Sequence, residues 1–328
     1  MGKLELSLAV GDYDHTRDIV SGDVRAEGID ITALRLPIEE LLFRLHNYRE
    51  WDVSELGIST HAVQTSRGKS QMVGLPVFTS RTFRHSAIYI RRDAGIDAPA
   101  DLAGKRIGVP QWSMTAAIYA RALLAHSYGV DLKSIRWFQA GVNEPGRIDK
   151  LQIRPEGYSI TPSPERSISE MLRSGDLDAA ISARPPEAFE NGDGRIRRGW
   201  NDLHAEELSY WQSTRVFPIM HMIVIRREVY ERNRWVARNL LQAFQTAKER
   251  SLARLREVAA SHYPLPWMPN HVALARAQMG EDFWPYGIES NRTTLEAFCQ
   301  YAYEQGCCER LLKIEELFAP EVQGNWHV

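Results

Sequence analysis

The side chains of this sequence that could do acid, base or anion chemistry fall at the ends of apolar segments. Asp14-His15 follows the alternation Leu4 to Val10, and Arg84-His85 precedes Ala87 to Ile90. Ser113 and Thr115 open a helical stretch, Arg184 follows Leu177 to Ser182, and His221 interrupts the apolar run Met220 to Ile225. A histidine near its ordinary pKa of about 6.5 can give or take a proton. A guanidinium grips a carboxylate with two parallel bonds, and the free N–H groups at a helix start favour an anion. Arg81, Arg84 and His85 set cations beside Phe83, which suits an anionic aromatic ligand. Glu55 stands in the apolar segment Asp52 to Gly57, where a buried carboxylate needs a partner. Each position also has a plain use: Asp14 as a helix cap, Arg84-His85 as a solvated loop, Arg184 as a surface residue, His221 as a hydrogen-bonded core histidine. Ser113 and Thr115 serve as caps in either case, since a cap and an anion site are one structure.

The ten histidines stand at positions 15, 46, 61, 85, 126, 204, 221, 262, 271 and 327, so neither HxH nor HExxH metal spacing occurs. There is no GxGxxG, P-loop or GxSxG, and neither a metal nor an organic cofactor is expected. Cys299, Cys307 and Cys308 are odd in number and lack CxxC spacing, which fits reduced thiols in a cytosolic protein.

These residues need a scaffold. Leu4 to Val10 reads as a strand, with a polar turn Gly11 to Thr16 and a helical stretch around Arg17 to Val20. Ile29 to Leu36 is a second strand, and Pro37 opens an amphipathic helix through Ile38, Leu41, Leu42 and Leu45, with Glu39 and Glu40 in its first turn. Asp52 to Gly57 is a buried third strand, followed by β-rich Gly74 to Phe78 and Ala87 to Ile90. A second unit begins near Ala98 to Gly104, with a strand Arg106 to Val109, a helix Ala116 to Ser127 capped by Ser113 or Thr115, a helix Ser167 to Arg173 and a strand Leu177 to Ser182. From Phe217 the pattern becomes one strand and then long helices, Arg234 to Leu255, Val272 to Met279 and Thr293 to Gln305. Alternating β and α elements predict an α/β fold.

The chain has 328 residues, enough for about two lobes, and 44% hydrophobic with 25% charged residues is a globular composition. Lys plus Arg (40) nearly cancels Asp plus Glu (42), so no global field for nucleic acid or an anionic membrane is expected. The N-terminus lacks a signal-peptide pattern and no apolar run approaches the ~20 residues that cross a bilayer, which predicts a cytoplasmic protein. The apolar C-terminal helices leave room for a homodimer face.

Several blocks together carry a resemblance: Gly11 to Thr16, Val77 to Tyr89 with Phe83-Arg84-His85-Ser86, and Asp101 to Pro110 with Met114 to Ala117. Glu144 to Arg147, Ile181 to Arg184, Phe217 to His221 and Phe283 to Gly287 extend it over nearly the whole chain. The sequence resembles the 4,5-dihydroxyphthalate decarboxylase family. The resemblance implies a type 2 periplasmic-binding-protein-like fold, in which two α/β lobes joined by two crossover hinge strands close on a ligand. It places lobe one at residues 1–92 plus 218–328, with the C-terminal helices packed on it, and lobe two at 93–217. It further implies a cofactor-independent decarboxylase of a small aromatic carboxylate. For proton transfer the reading favours His15 oriented by Asp14, with His85 and His221 as rivals; for carboxylate binding it favours Arg84, Arg184, Ser113 and Thr115, with Tyr13 and Trp112 flanking the ring and Glu55 and Arg81 nearby. The alternatives are a solute-binding protein for a small carboxylate, which would need an export signal, and a decarboxylase of a different small acid.

Overall fold

A computed structural model gives the structure, which describes residues 2–147, 149, 151–191 and 194–324. The chain first lays down β1 (Leu4–Val10), α1 (Asp14–Val20), β2 (Ile29–Arg35), α2 (Ile38–Tyr48), β3 (Val53–Gly57), α3 (Ile58–Ser66), β4 (Met72–Gly74) and β5 (Ser80–Arg81). It then crosses to β6 (Ile88–Arg91), β7 (Arg106–Val109), α4 (Thr115–Ala122), β8 (Arg136–Gly141), β9 (Ser159–Ser167), α5 (Ile168–Ser174), β10 (Ala179–Ile181), α6 (Glu187–Glu190), β11 (Ile196–Arg198) and α7 (Leu203–Thr214). It returns through β12 (Ile219–Arg226) and ends in α8 (Arg227–Arg232), α9 (Val236–Arg256), α10 (Met268–Met279) and α11 (Arg292–Glu304).

The strands form two sheets, one per lobe. The first has the order β2-β1-β3-β12-β4, with β5 beside β12, and the second the order β11-β6-β10-β7-β8-β9. Parallel strands β1, β2 and β3 in one lobe, and β10, β7, β8 and β9 in the other, put their loops at one edge of each sheet, where ligand crevices form in open α/β sheets. Local chemistry explains the elements. β3 is buried along its whole length, so it reads as an apolar run. Ser167 caps α5 by accepting from the Glu170 N–H, and Gly175 ends that helix at φ +85°, a left-handed conformation that favours glycine. α9 turns Leu240, Phe244, Ala247 and Ser251 inward, and Arg254 ties it to α1 through Asp14 (3.0 Å) and Asp18 (2.9 Å).

One lobe boundary, one crossing and the packing of the C-terminal helices differ from the sequence reading. β6, placed with lobe one by the 1–92 boundary, pairs with β10 and β11 of the second sheet, because apolar Ile88, Tyr89 and Ile90 are covered there on both faces. The first crossing therefore lies at 82–87. The second, from 199 to 218, is not a plain strand but carries α7. The C-terminal helices are not confined to lobe one either: α11 stacks Phe298 on Tyr119 of α4, with ring centroids 5.4 Å apart. Just past α11, Gln305 accepts from Trp112 Nε1 (2.9 Å) and Arg121 Nε (2.7 Å). One apolar core accordingly runs through both lobes, from Leu8, Ile58 and Val224 to Val109, Ile118 and Trp137. Among the described residues no helix is long and apolar enough to cross a membrane.

Candidate functional site

The two lobes meet where α3 and α4 begin. Gly57 precedes α3 and Met114 precedes α4, and neither offers a capping side chain. Neither Ser113 nor Thr115 thus caps this helix as expected, and Thr115 is its first residue. Its hydroxyl instead reaches the other lobe, donating to Ser59 Oγ (2.8 Å) and accepting from the Ser59 N–H (3.4 Å). Two helix N-termini face one another there, each favouring negative charge. Ser113 is buried beside them and accepts from Gln111 Nε2 (3.2 Å).

Next to this junction lies a buried carboxylate with its partners. Glu55, fully buried, accepts from the Gly11 N–H (2.9 Å), from Tyr13 O–H (2.7 Å) and from His221 Nδ1 (2.7 Å). Burial alone would push its carboxyl upward, but the hydrogen bond and charge of His221, with the Gly11 and Tyr13 donors, outweigh it and hold Glu55 below the ordinary value. Tyr13 goes the other way: burial, then the Glu55 charge, keeps its phenol protonated well past the usual range. Gly11 permits the arrangement, since a Cβ there would meet the Tyr13 ring at 2.7 Å.

With Nδ1 committed to Glu55, His221 keeps Nε2 for another partner, and its side chain is 19% exposed. A Cβ on Gly57 would lie 3.6 Å from Thr115 Oγ1 and 3.9 Å from both His221 Cδ2 and Thr60 Oγ1. The absent side chain therefore leaves a small space bordered by an imidazole edge and two hydroxyls. Arg84 stands at the first crossing; its Nε donates to Met220 Sδ (3.0 Å), no carboxylate pairs with it among the described residues, and burial lowers its pKa to about 10.

Other expected site residues are used differently. His15 is not oriented by Asp14, whose carboxylate accepts from Ser251 (2.6 Å) and Arg254 (3.0 Å). Neighbours on a helix point about 100° apart, so Asp14 and His15 face different partners. His15 donates Nε2–H to the Thr79 carbonyl (3.1 Å), which fixes Nδ1 as the acceptor of Tyr286 O–H (2.6 Å). Both nitrogens are spent, and burial lowers its pKa to about 4. Its ring packs 5.5 Å from Tyr13 and 5.4 Å from Trp284, forming an aromatic wall.

His85 is buried between Trp200 (5.0 Å) and Tyr210 (5.5 Å), its Nδ1 unpartnered and its pKa lowered by burial to about 4. Trp112 flanks no ligand space: it is fully buried against Trp137 and Tyr158, with the Arg121 guanidinium 3.8 Å from its ring centre. Arg81 is a strut, donating to the carbonyls of Phe217 (3.3 Å) and Pro285 (2.8 Å) and to Asn291. Arg184 is exposed and reaches across the cleft mouth to Glu39 of α2 at 2.5 Å. An exposed pair of this kind is worth about 0–1 kcal/mol. Sequence reasoning missed Gly57, Ser59, Thr60, Thr79, Trp284 and Tyr286; the Phe283 to Gly287 block was the available signal for the last two.

Three buried histidines make an acid-stability test. His15, His61 and His85 all have pKa values lowered by burial to about 4. A pKa that falls on folding stabilises fully above the unfolded value of about 6.5 and loses that contribution as pH drops toward 4, because only the unfolded chain takes the proton. Between those limits each costs about 1.4 kcal/mol per pH unit, so the three together cost about 4. Urea midpoints at pH 7.5, 6 and 5 are expected to fall accordingly. His85→Phe, which also removes an orphaned buried nitrogen, is expected to cut that slope by about a third and to leave stability at pH 7.5 within about 1 kcal/mol. A slope unchanged in His85→Phe would contradict the assignment.

Comparison with known proteins adds to this geometry. The chain is 38% identical over 322 residues to a 4,5-dihydroxyphthalate decarboxylase of Comamonas testosteroni, covering 98% of each chain. It is 39% identical over 204 residues to a 4,5-dihydroxyphthalate decarboxylase of Pseudomonas putida, covering 62% of this chain and 79% of that one. Residues 59–147 match the NMT1/THI5-like family model. Among solved structures, a putative periplasmic sulfonate-binding protein of Methylobacillus flagellatus superimposes with a TM-score of 0.54 at 14% identity, over 98% of this chain and 93% of that one. The fold is thus the type 2 periplasmic-binding-protein-like fold.

Proposed function

Because this chain belongs to the 4,5-dihydroxyphthalate decarboxylase family and is a carboxy-lyase, we propose that it converts 4,5-dihydroxyphthalate to 3,4-dihydroxybenzoate and CO2, with His221 as the proton donor to carbon. The observation that carries the choice is the Glu55–His221 contact at 2.7 Å, which occupies Nδ1 and leaves Nε2 uncommitted on a ring whose Cδ2 edge borders the space beside Gly57 and Thr115.

The chemistry needs a proton more than a cofactor. Each carboxylate of the substrate is para to a hydroxyl. A proton added to a carboxyl-bearing ring carbon, with loss of the para hydroxyl proton to solvent, gives a dienone. The electrons of the breaking C–C bond then flow into the ring as CO2 departs, and the phenol regains its proton. The balance is one proton consumed and one CO2 released. His221 delivers the proton from Nε2 while Glu55 stabilises the imidazolium and fixes its orientation, work typically worth about 10²- to 10⁴-fold. Tyr13, His15 and Trp284 wall the ring, and Arg84 with the two helix N-termini attracts its charge. Closure of the lobes excludes water from the carboxyl-bearing edge of the ring, while the hydroxyl edge stays in exchange with solvent, and strengthens each of these interactions.

Mass spectrometry of the purified protein incubated with hydroxylated phthalates and benzoates tests the proposal. The expected result is a loss of 44 mass units, the mass of CO2, from 4,5-dihydroxyphthalate. Recovery of unchanged ligand bound to the protein would favour a solute-binding role instead, and loss of 44 from a different acid alone would correct the substrate.

A further inference from the structure

We infer that Arg198, together with Arg84, holds the carboxylate that stays on the ring; this rests on the proposed decarboxylation. Arg198 ends β11, at the same edge of the second sheet from which α4 reaches lobe one: β11 and β10 both run antiparallel to β6, and β10 runs parallel to β7. Its guanidinium donates to the Tyr89 hydroxyl oxygen (2.7 Å) and to the Ser86 carbonyl, and lies 4.5 and 4.8 Å over the rings of Tyr89 and Phe189. Among the described residues no carboxylate pairs with it, just as none pairs with Arg84, two residues before Ser86. The Tyr89 hydroxyl, its pKa pushed upward by burial, feels both positive charges and also the negative charge of Glu190. One row along the same sheet face, Ser182 is buried with its hydroxyl unpartnered, and its N–H donates to the Ala87 carbonyl (2.9 Å). Two cations without an ion-pair partner among the described residues and an orphaned hydroxyl thus gather around one turn, a donor set for a carboxylate.

Which carboxylate follows from the reaction. The departing one becomes neutral CO2, so any cation gripping it must be relinquished in the transition state, and such a grip would slow the chemistry. The other keeps its charge from substrate to product. Cations are productive there, because they position the ring without opposing bond cleavage. The substrate class that fits is an aromatic ortho-dicarboxylate rather than a monocarboxylate.

The test compares wild type, Arg198→Gln and Arg198→Lys in inhibition by 3,4-dihydroxybenzoate, which retains the carboxylate, and by 4-methylcatechol, which has none, with thermal melts as a folding control. Arg198→Gln is expected to raise the inhibition constant for 3,4-dihydroxybenzoate, and KM for 4,5-dihydroxyphthalate, by about 30-fold or more, and Arg198→Lys to raise them less; the constant for 4-methylcatechol should move less than about twofold. Equal weakening of both inhibitors, or of neither, would overturn the inference. If wild type releases no CO2, the decarboxylation proposal fails, while direct binding of the same two compounds still decides whether Arg198 reads a carboxylate.

Discussion

Replacing His221 with glutamine is expected to lower kcat by about 10²- to 10⁴-fold while 3,4-dihydroxybenzoate still binds within about threefold of wild type. The split follows from the geometry. His221 lies in β12, surrounded by apolar neighbours that fix the strand without its help, so a side chain of similar volume should leave the sheet intact. What disappears is the ring nitrogen that the Glu55 contact leaves uncommitted. Steady-state rates with calorimetric binding measure both quantities. Turnover within tenfold of wild type would show that some other group protonates the ring.

The second large effect belongs to Glu55→Gln. The amide presents one acceptor oxygen to a site with donors from Gly11, Tyr13 and His221, and its NH2 group opposes at least one of them. Removing one partner of a buried charged pair costs about 3 kcal/mol or more, so a lowered melting temperature accompanies a kcat fall of about 10²-fold or greater. The pH dependence has a definite sign. Glu55 is held below the ordinary carboxylate value in the folded protein, so its contribution is present above the unfolded pKa and lost as pH drops through the folded one. Wild type and Glu55→Gln should therefore converge in stability as the medium becomes strongly acidic, and diverge again near neutrality. A constant difference across that range would mean that Glu55 is not an ionised acceptor.

The fold class was legible because most elements announce themselves: the alternation of β1, the Pro37 start of α2, the long amphipathic face of α9. α3 was not. Ile58-Ser59-Thr60-His61-Ala62-Val63 carries no clear apolar stripe and Gly57 gives no capping signal, so the helix owes its stability to packing rather than to pattern. Yet its N-terminus forms half of the site. Glu55 and His221 were both visible as polar residues in apolar strands, but their partnership was not, since it depends on β12 pairing antiparallel to β3 with His221 opposite Gly57 and Ile223 opposite Glu55. That register sets the two side chains on one face, and nothing local in the sequence specifies it. Asp14 and His15 misled for the converse reason: adjacency in sequence suggested a pair that helix geometry separates. The cationic residues divided by counter-ion. Arg81 and Arg184 have protein partners, whereas Arg84 and Arg198 lack carboxylates among the described residues, a distinction that requires coordinates.

The central claim, that this cleft exchanges CO2 for a proton on the ring, is tested most directly by running the reaction in D2O and weighing the product. Wild type should give 3,4-dihydroxybenzoate carrying one deuterium at the vacated ring carbon and one equivalent of CO2, and His221→Gln should leave the bound substrate at its original mass over the same interval. Intact 4,5-dihydroxyphthalate from the wild-type protein, or deuterated product formed equally fast by His221→Gln, would contradict it.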